Sequence, residues 1–105
     1  MKVEKWAIWG KSALAHACKA MGIRPISMSQ FALLCVVKRY GTTTAATMHR
    51  YGSYSLAMEK DRIRAIRVLS DLGLLTRSSK GVYAITPEGR EFCSIVRRYM
   101  LHKRF

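Results

Sequence analysis

Asp71-Leu72-Gly73-Leu74-Leu75-Thr76-Arg77, the tip Ser78-Ser79-Lys80-Gly81, and Val82-Tyr83-Ala84-Ile85-Thr86-Pro87-Glu88-Gly89-Arg90 form the stretch whose reading decides the fold. Gly73 follows a long helical pattern and supplies the left-handed residue that commonly ends a helix. Leu74 to Arg77 and Val82 to Ile85 are short β-prone runs on either side of small polar residues and a glycine, which predicts a β-hairpin. Thr86-Pro87-Glu88 then gives an N-cap hydroxyl, a proline at the first helical position and an acid in the first turn. Another helix must start there.

Upstream, Ser55 is an N-cap candidate for a helix running to Leu72, with Glu59 and Asp61 near its positive end. Before it, Thr42, Thr43 and Thr44 offer capping hydroxyls for a short helix from Ala45 to Tyr51, closed by Gly52. Two helices with a short glycine-containing connection, the second longer, have the outline of a helix-turn-helix. Further back, Ser27-x-x-Gln30 has the form of a capping box and Lys38-Arg39-Tyr40-Gly41 that of a helix stop. The apolar run between them suits a buried strand on composition alone, but caps at both ends favour a helix. From Glu4 to Met21, Trp6, Ile8, Trp9, Ala13, Leu14, Ala17, Cys18 and Met21 recur at helical spacing, with Gly10 as a weak point and Gly22 as the stop.

Charge narrows the partner. A net charge of +13 on 105 residues exceeds what solubility requires and points to a polyanion. It is not confined to a tail: residues 1–52 carry eight Lys or Arg against one acid, and residues 53–105 eleven against five.

On a wheel at 100° per residue, the helix after Ser55 turns Ile63, Ala65, Ile66, Val68, Leu69 and Leu72 inward. Lys60, Arg64 and Arg67 share the opposite face, with Asp71 one turn on. Arg can bond bidentately to guanine in the major groove, and either cation can neutralise phosphate. The hairpin residues Arg77, Ser78, Ser79 and Lys80 suit close approach to the backbone or minor groove. Thr44 and Arg50, from the preceding segment, complete the candidate DNA-binding set.

The segment from Asp71 to Arg90 resembles the "L-x-x-x-G-L-[hydrophobic]-x-R … Y-x-L-T-x-x-G" pattern of MarR-like winged helix-turn-helix regulators. The likeness extends over roughly residues 27–92. It implies that Gly73 ends the recognition helix, that Leu74 to Arg77 begin the wing and that Thr86 opens the next helix. It also implies that Lys60, Arg64 and Arg67 read or clamp the groove, that Arg77 to Lys80 form the wing tip, and that two copies pair through their terminal helices. The first helix of the motif is short, Met48-His49-Arg50-Tyr51 does not follow the family's usual small-residue pattern, and the Gly52–Ala57 linker is long, all departures from the pattern.

Other classes find little material. Six acids and three histidines in separate segments, His16, His49 and His102, make no catalytic cluster. No glycine-rich phosphate loop and no cofactor motif occur. Cys18, Cys35 and Cys93 are odd in number, far apart in sequence and without C-x-x-C spacing, so they read as reduced core thiols rather than a disulfide framework or zinc site. No apolar run approaches the ~20 residues of a membrane span, and the expected location is cytoplasmic. Trp6 and Trp9 read as core or dimer anchors.

The expectation is a single domain over residues 1–105, mainly α with a small β-hairpin wing. Residues 27–86 would be the DNA-binding core, and 1–26 and 87–105 terminal helices that pair two copies by burying the Phe92, Ile95, Val96 and Tyr99 stripe. The expected function is sequence-specific binding of double-stranded DNA in transcription regulation. The alternatives are an accessory protein of plasmid or mobile-element replication or partition, or a winged module that binds RNA or protein.

Overall fold

Apolar spacing, caps and glycine stops set the element order. The computed structural model describes residues 2–44 and 59–102. Within them run helix α1 (Lys2–Met21), helix α2 (Met28–Tyr40), strand β1 (Thr42–Thr44), helix α3 (Glu59–Asp71), strands β2 (Leu75–Ser79) and β3 (Val82–Ile85), and helix α4 (Pro87–His102). The chain is thus mainly helical with a small antiparallel hairpin. The expected helix from Ala45 to Tyr51, the Ser55 cap and Arg50 lie outside the described residues.

The caps predicted at Ser27 and at Gly73 form. Gln30 N–H donates to Ser27 Oγ at 3.1 Å and Ser27 N–H to Gln30 Oε1 at 3.0 Å, a complete capping box that settles α2 as a helix. At the far end of α3, Gly73 has φ +78°. Its N–H donates to the Ser70 carbonyl at 3.0 Å, and the Leu74 N–H donates to Leu69 O at 2.9 Å. That pair of bonds satisfies the last carbonyls of α3, and Leu69 and Leu74, both fully buried, close the turn with an apolar contact.

One element was unexpected. Thr42–Thr44, expected as capping residues, form a strand that pairs antiparallel with β3, in register Thr42↔Ala84, Thr43↔Tyr83 and Thr44↔Val82. The sheet therefore has three strands in the order β1-β3-β2. Three consecutive β-branched residues suit extended backbone, and they cover an edge of β3 that would otherwise present unpaired groups.

A continuous apolar core joins every layer. Ala13, Leu14, Ala17 and Cys18 of α1, Leu33, Leu34 and Val37 of α2, and Ala65, Ile66 and Leu69 of α3 meet Leu74, Leu75, Ile85, Phe92, Cys93 and Val96. The terminal helices belong to this core. α1 packs along α4, with the His16 and Tyr99 rings 4.9 Å apart between centroids. Phe92 and Val96 are consequently buried within one chain. Of the stripe that the sequence suggested for pairing two copies, Phe92 and Val96 are covered within the chain while Ile95 and Tyr99 are half-buried, and Leu101, near the end of α4, is an exposed apolar residue on that helix.

Thr86 locks the junction that positions α3. Its Oγ1 accepts from the Gly89 N–H at 3.0 Å, capping α4. The same hydroxyl donates to the Gly73 carbonyl at the end of α3. Its own N–H donates to Leu74 O at 3.2 Å. The end of α3, the base of the hairpin and the start of α4 are thereby tied at one residue.

Candidate nucleic-acid interface

α3 packs on α2 and β2 through Ala65, Ile66 and Leu69, which fixes the face it turns outward. Lys60, Arg64 and Arg67 are all exposed on that face, as expected. Among the described residues none of the three is paired with a carboxylate, although Asp71, one turn beyond Arg67, is exposed.

The wheel misplaced Ile63. It was assigned to the inner face, yet it is 49% exposed. Ile63 stands one turn from both Lys60 and Arg67, 60° around the axis from Lys60, at the border of the charged face rather than over α2. Val68 and Leu72, at the other border, are half-buried against the core. Hydropathy favours the inside for Ile63, but it lies about 110° from the arc centred on Ala65, Ile66 and Leu69, as far as the half-buried Val68 on the other side, so it stands where either outcome is open.

The hairpin carries the second group. Arg77 pairs across from Tyr83 and Ser79 across from Val82, so Ser78 is an extra residue on β2 that makes a bulge. β2 reaches two residues beyond the expected Arg77 and β3 spans the expected Val82–Ile85, which leaves Lys80 and Gly81 as the turn. Arg77, Ser78, Ser79 and Lys80 are all exposed.

Thr44 joins this group through β1. Thr44 and Ser79 both lie opposite Val82, one on each side of β3. At the usual spacing of adjacent strands this sets them about 10 Å apart at the turn end of the sheet. Its exposed side chain thus belongs with the hairpin tip, a proximity that sequence order gave no sign of. Arg50 lies outside the described residues.

Positive charge also extends beyond the expected set. Lys38 and Arg39 at the end of α2, just before β1, are exposed, as are Lys11, Lys19, Arg24, Arg90 and Arg97. Arg98 reaches Glu91 at 3.4 Å, with both side chains more than half exposed. Such a surface pair contributes little to stability.

The other chemistry is sparse. Among the described residues no three His, Cys, Asp or Glu side chains are grouped as metal ligands. No helix among them is long and apolar enough to cross a membrane. The thiols differ from expectation in one respect: Cys35 is only half-buried and meets Cys93 across α2 and α4.

No family model, curated protein or solved structure matches this chain.

Proposed function

We propose that this chain is a winged helix-turn-helix protein of MarR-like design. It binds double-stranded DNA in a sequence-dependent way and acts as a transcription regulator. The observation that carries the proposal is the outward face of α3, where Lys60, Arg64 and Arg67 stand exposed and unpaired with any described carboxylate. An isolated ridge of that kind suits a polyanion, and a net charge of +13 raises the local concentration of one.

The dimensions suit a duplex. At 1.5 Å per residue, Lys60 to Arg67 cover about 10 Å of helix axis, the length of roughly three base pairs. A major groove about 12 Å wide admits one helix. Arg64 and Arg67 supply bidentate donors for guanine, and Ile63 supplies an apolar contact for a thymine methyl beside them. Arg77, Lys80 and the hydroxyls of Thr44, Ser78 and Ser79 clamp the neighbouring backbone.

In this reading two copies bind a pseudo-palindromic site with half-sites about 34–36 Å apart. Pairing uses the ends of α1 and α4, including Leu101, because Phe92 and Val96 are occupied within the chain.

Selection of bound sequences from random duplex DNA tests the whole reading. Enriched inverted repeats with a fixed spacing support it. Enrichment of a single unpaired half-site would remove the dimer from it. No enrichment, together with equal binding to A-form RNA, would replace the reading with a nonspecific or RNA-binding module.

A further inference from the structure

Cys35 and Cys93 sit near the middles of α2 and α4, and the packing of these helices brings the two thiols to the wall of one cavity of about 280 Å³. Met28, Phe31, Val96 and Met100 give the cavity its apolar lining, while Lys38 and Arg97 stand on it as cations. Inside, the Cys35 thiol hydrogen-bonds to the Cys93 sulfur. The third cysteine, Cys18, is 2% exposed in α1 and lines no part of this cavity.

The two sulfurs are not equivalent. Cys93 is pulled below the ordinary thiol range first by the Cys35 hydrogen bond and then by the Lys38 and Arg90 charges, against an opposing contribution from burial. Cys35 is pushed up by the same hydrogen bond and by burial. Cys93 is therefore the more readily ionised thiol of the pair, and ionisation to the thiolate makes the nucleophile.

We propose that Cys35 and Cys93 form an oxidisable dithiol site that takes a hydroperoxide at this cavity and closes to a disulfide joining α2 to α4. The Cys93 thiolate attacks the terminal oxygen of the hydroperoxide. A sulfur–oxygen bond forms, the oxygen–oxygen bond breaks, and the released alkoxide or hydroxide takes a proton from water. Cys93 is oxidised to the sulfenic acid, and the peroxide is reduced to an alcohol or water. The Cys35 sulfur then attacks Cys93 Sγ, so that the disulfide bond forms and the sulfur–oxygen bond breaks. Hydroxide leaves and combines with the Cys35 proton as water. In sum, two thiols and one hydroperoxide give one disulfide, one alcohol and one water. Both thiols line one cavity between α2 and α4, so a disulfide between them would tie these two helices together.

Neither cysteine lies on α3 or the hairpin, so this site stands or falls separately from nucleic-acid binding. Treating the reduced full chain with a molar excess of hydrogen peroxide, followed by alkylation in denaturant and peptide mapping, tests it. The expected result is a linked peptide containing Cys35 and Cys93 within a single chain, with Cys18 alone still alkylated. The Cys35→Ala variant should instead hold Cys93 as a sulfenic acid that dimedone traps. Three alkylated cysteines after treatment, a link through Cys18, or a link between chains would overturn the proposal. So would Cys35→Ala chains that carry no dimedone at Cys93.

Discussion

The α-carbon of Gly89 faces the carbonyl of Leu74 so closely that a Cβ on residue 89 would lie 2.2 Å from that oxygen and 2.7 Å from Ile85 Cγ1. The first turn of α4 is pressed onto the start of the hairpin, and only a residue without a side chain permits it. Gly89→Ala should therefore invert the usual helix preference. Alanine ordinarily gains about 1 kcal/mol over glycine within a helix, but overpacking against backbone costs ~1–3 kcal/mol or more. Urea unfolding should show a net loss of roughly 1–2 kcal/mol. A variant as stable as the parent would mean that α4 can tilt away from Leu74.

Thr86 makes the complementary contact at the same junction. Thr86→Ala removes both the cap on Gly89 and the bond to the Gly73 carbonyl, and should cost about 1–2 kcal/mol. Thr86→Ser keeps the hydroxyl and should recover most of that. Equal losses in the two variants would assign the effect to the methyl group rather than the hydrogen bonds.

Ile63 separates stability from binding. Exposed at 49%, it should tolerate Ile63→Ala with a stability change within about 0.5 kcal/mol. Leu69→Ala, in the fully buried centre of α3, should cost ~2–5 kcal/mol. Ile63→Glu should leave the melting temperature near that of the parent yet weaken duplex binding tenfold or more, a loss of about 1.4 kcal/mol. A large loss of stability at Ile63 would place it in a contact beyond the described core.

Arg64, Arg67 and Lys80 should differ in kind. Arg64→Ala or Arg67→Ala should cost ~1–3 kcal/mol of binding and relax the preference at one base pair. Lys80→Ala, on the hairpin turn, should weaken all duplexes alike and reduce the salt slope by about one. Identical, sequence-independent losses at all three positions would reduce the protein to a backbone binder.

How far the sequence carried the fold depends on which forces acted locally. The Ser27–Gln30 box, the Gly73 stop, the hairpin and the Thr86 cap were legible because each is set by residues within about ten positions of one another. The threonine strand was not, because Thr42–Thr44 pair with residues forty positions later, and a cap and an edge strand draw on the same hydroxyl-bearing, β-branched residue. The fate of the Phe92 stripe was hidden for a similar reason. An apolar face announces that it will be covered, but not whether α1 or a second copy covers it. In the candidate site the cations of α3 followed directly from helical phase. Ile63 was not legible because it stands at the edge of the buried arc, where neither hydropathy nor phase decides which side the residue takes. The meeting of Cys35 with Cys93, and of Thr44 with the hairpin turn, depends on packing and register that no local pattern encodes.

The most direct test of the central claim is a fluorescence anisotropy titration of a selected duplex, run over a range of salt with the parent and with a Lys60→Ala, Arg64→Ala, Arg67→Ala triple variant of verified fold. For roughly 6–10 neutralised phosphates per dimer, the parent should give a log–log slope of about −5 to −9. The triple variant should bind at least a hundredfold more weakly, with a shallower slope. Equal affinity and slope for the two proteins would contradict the claim that the outer face of α3 meets DNA.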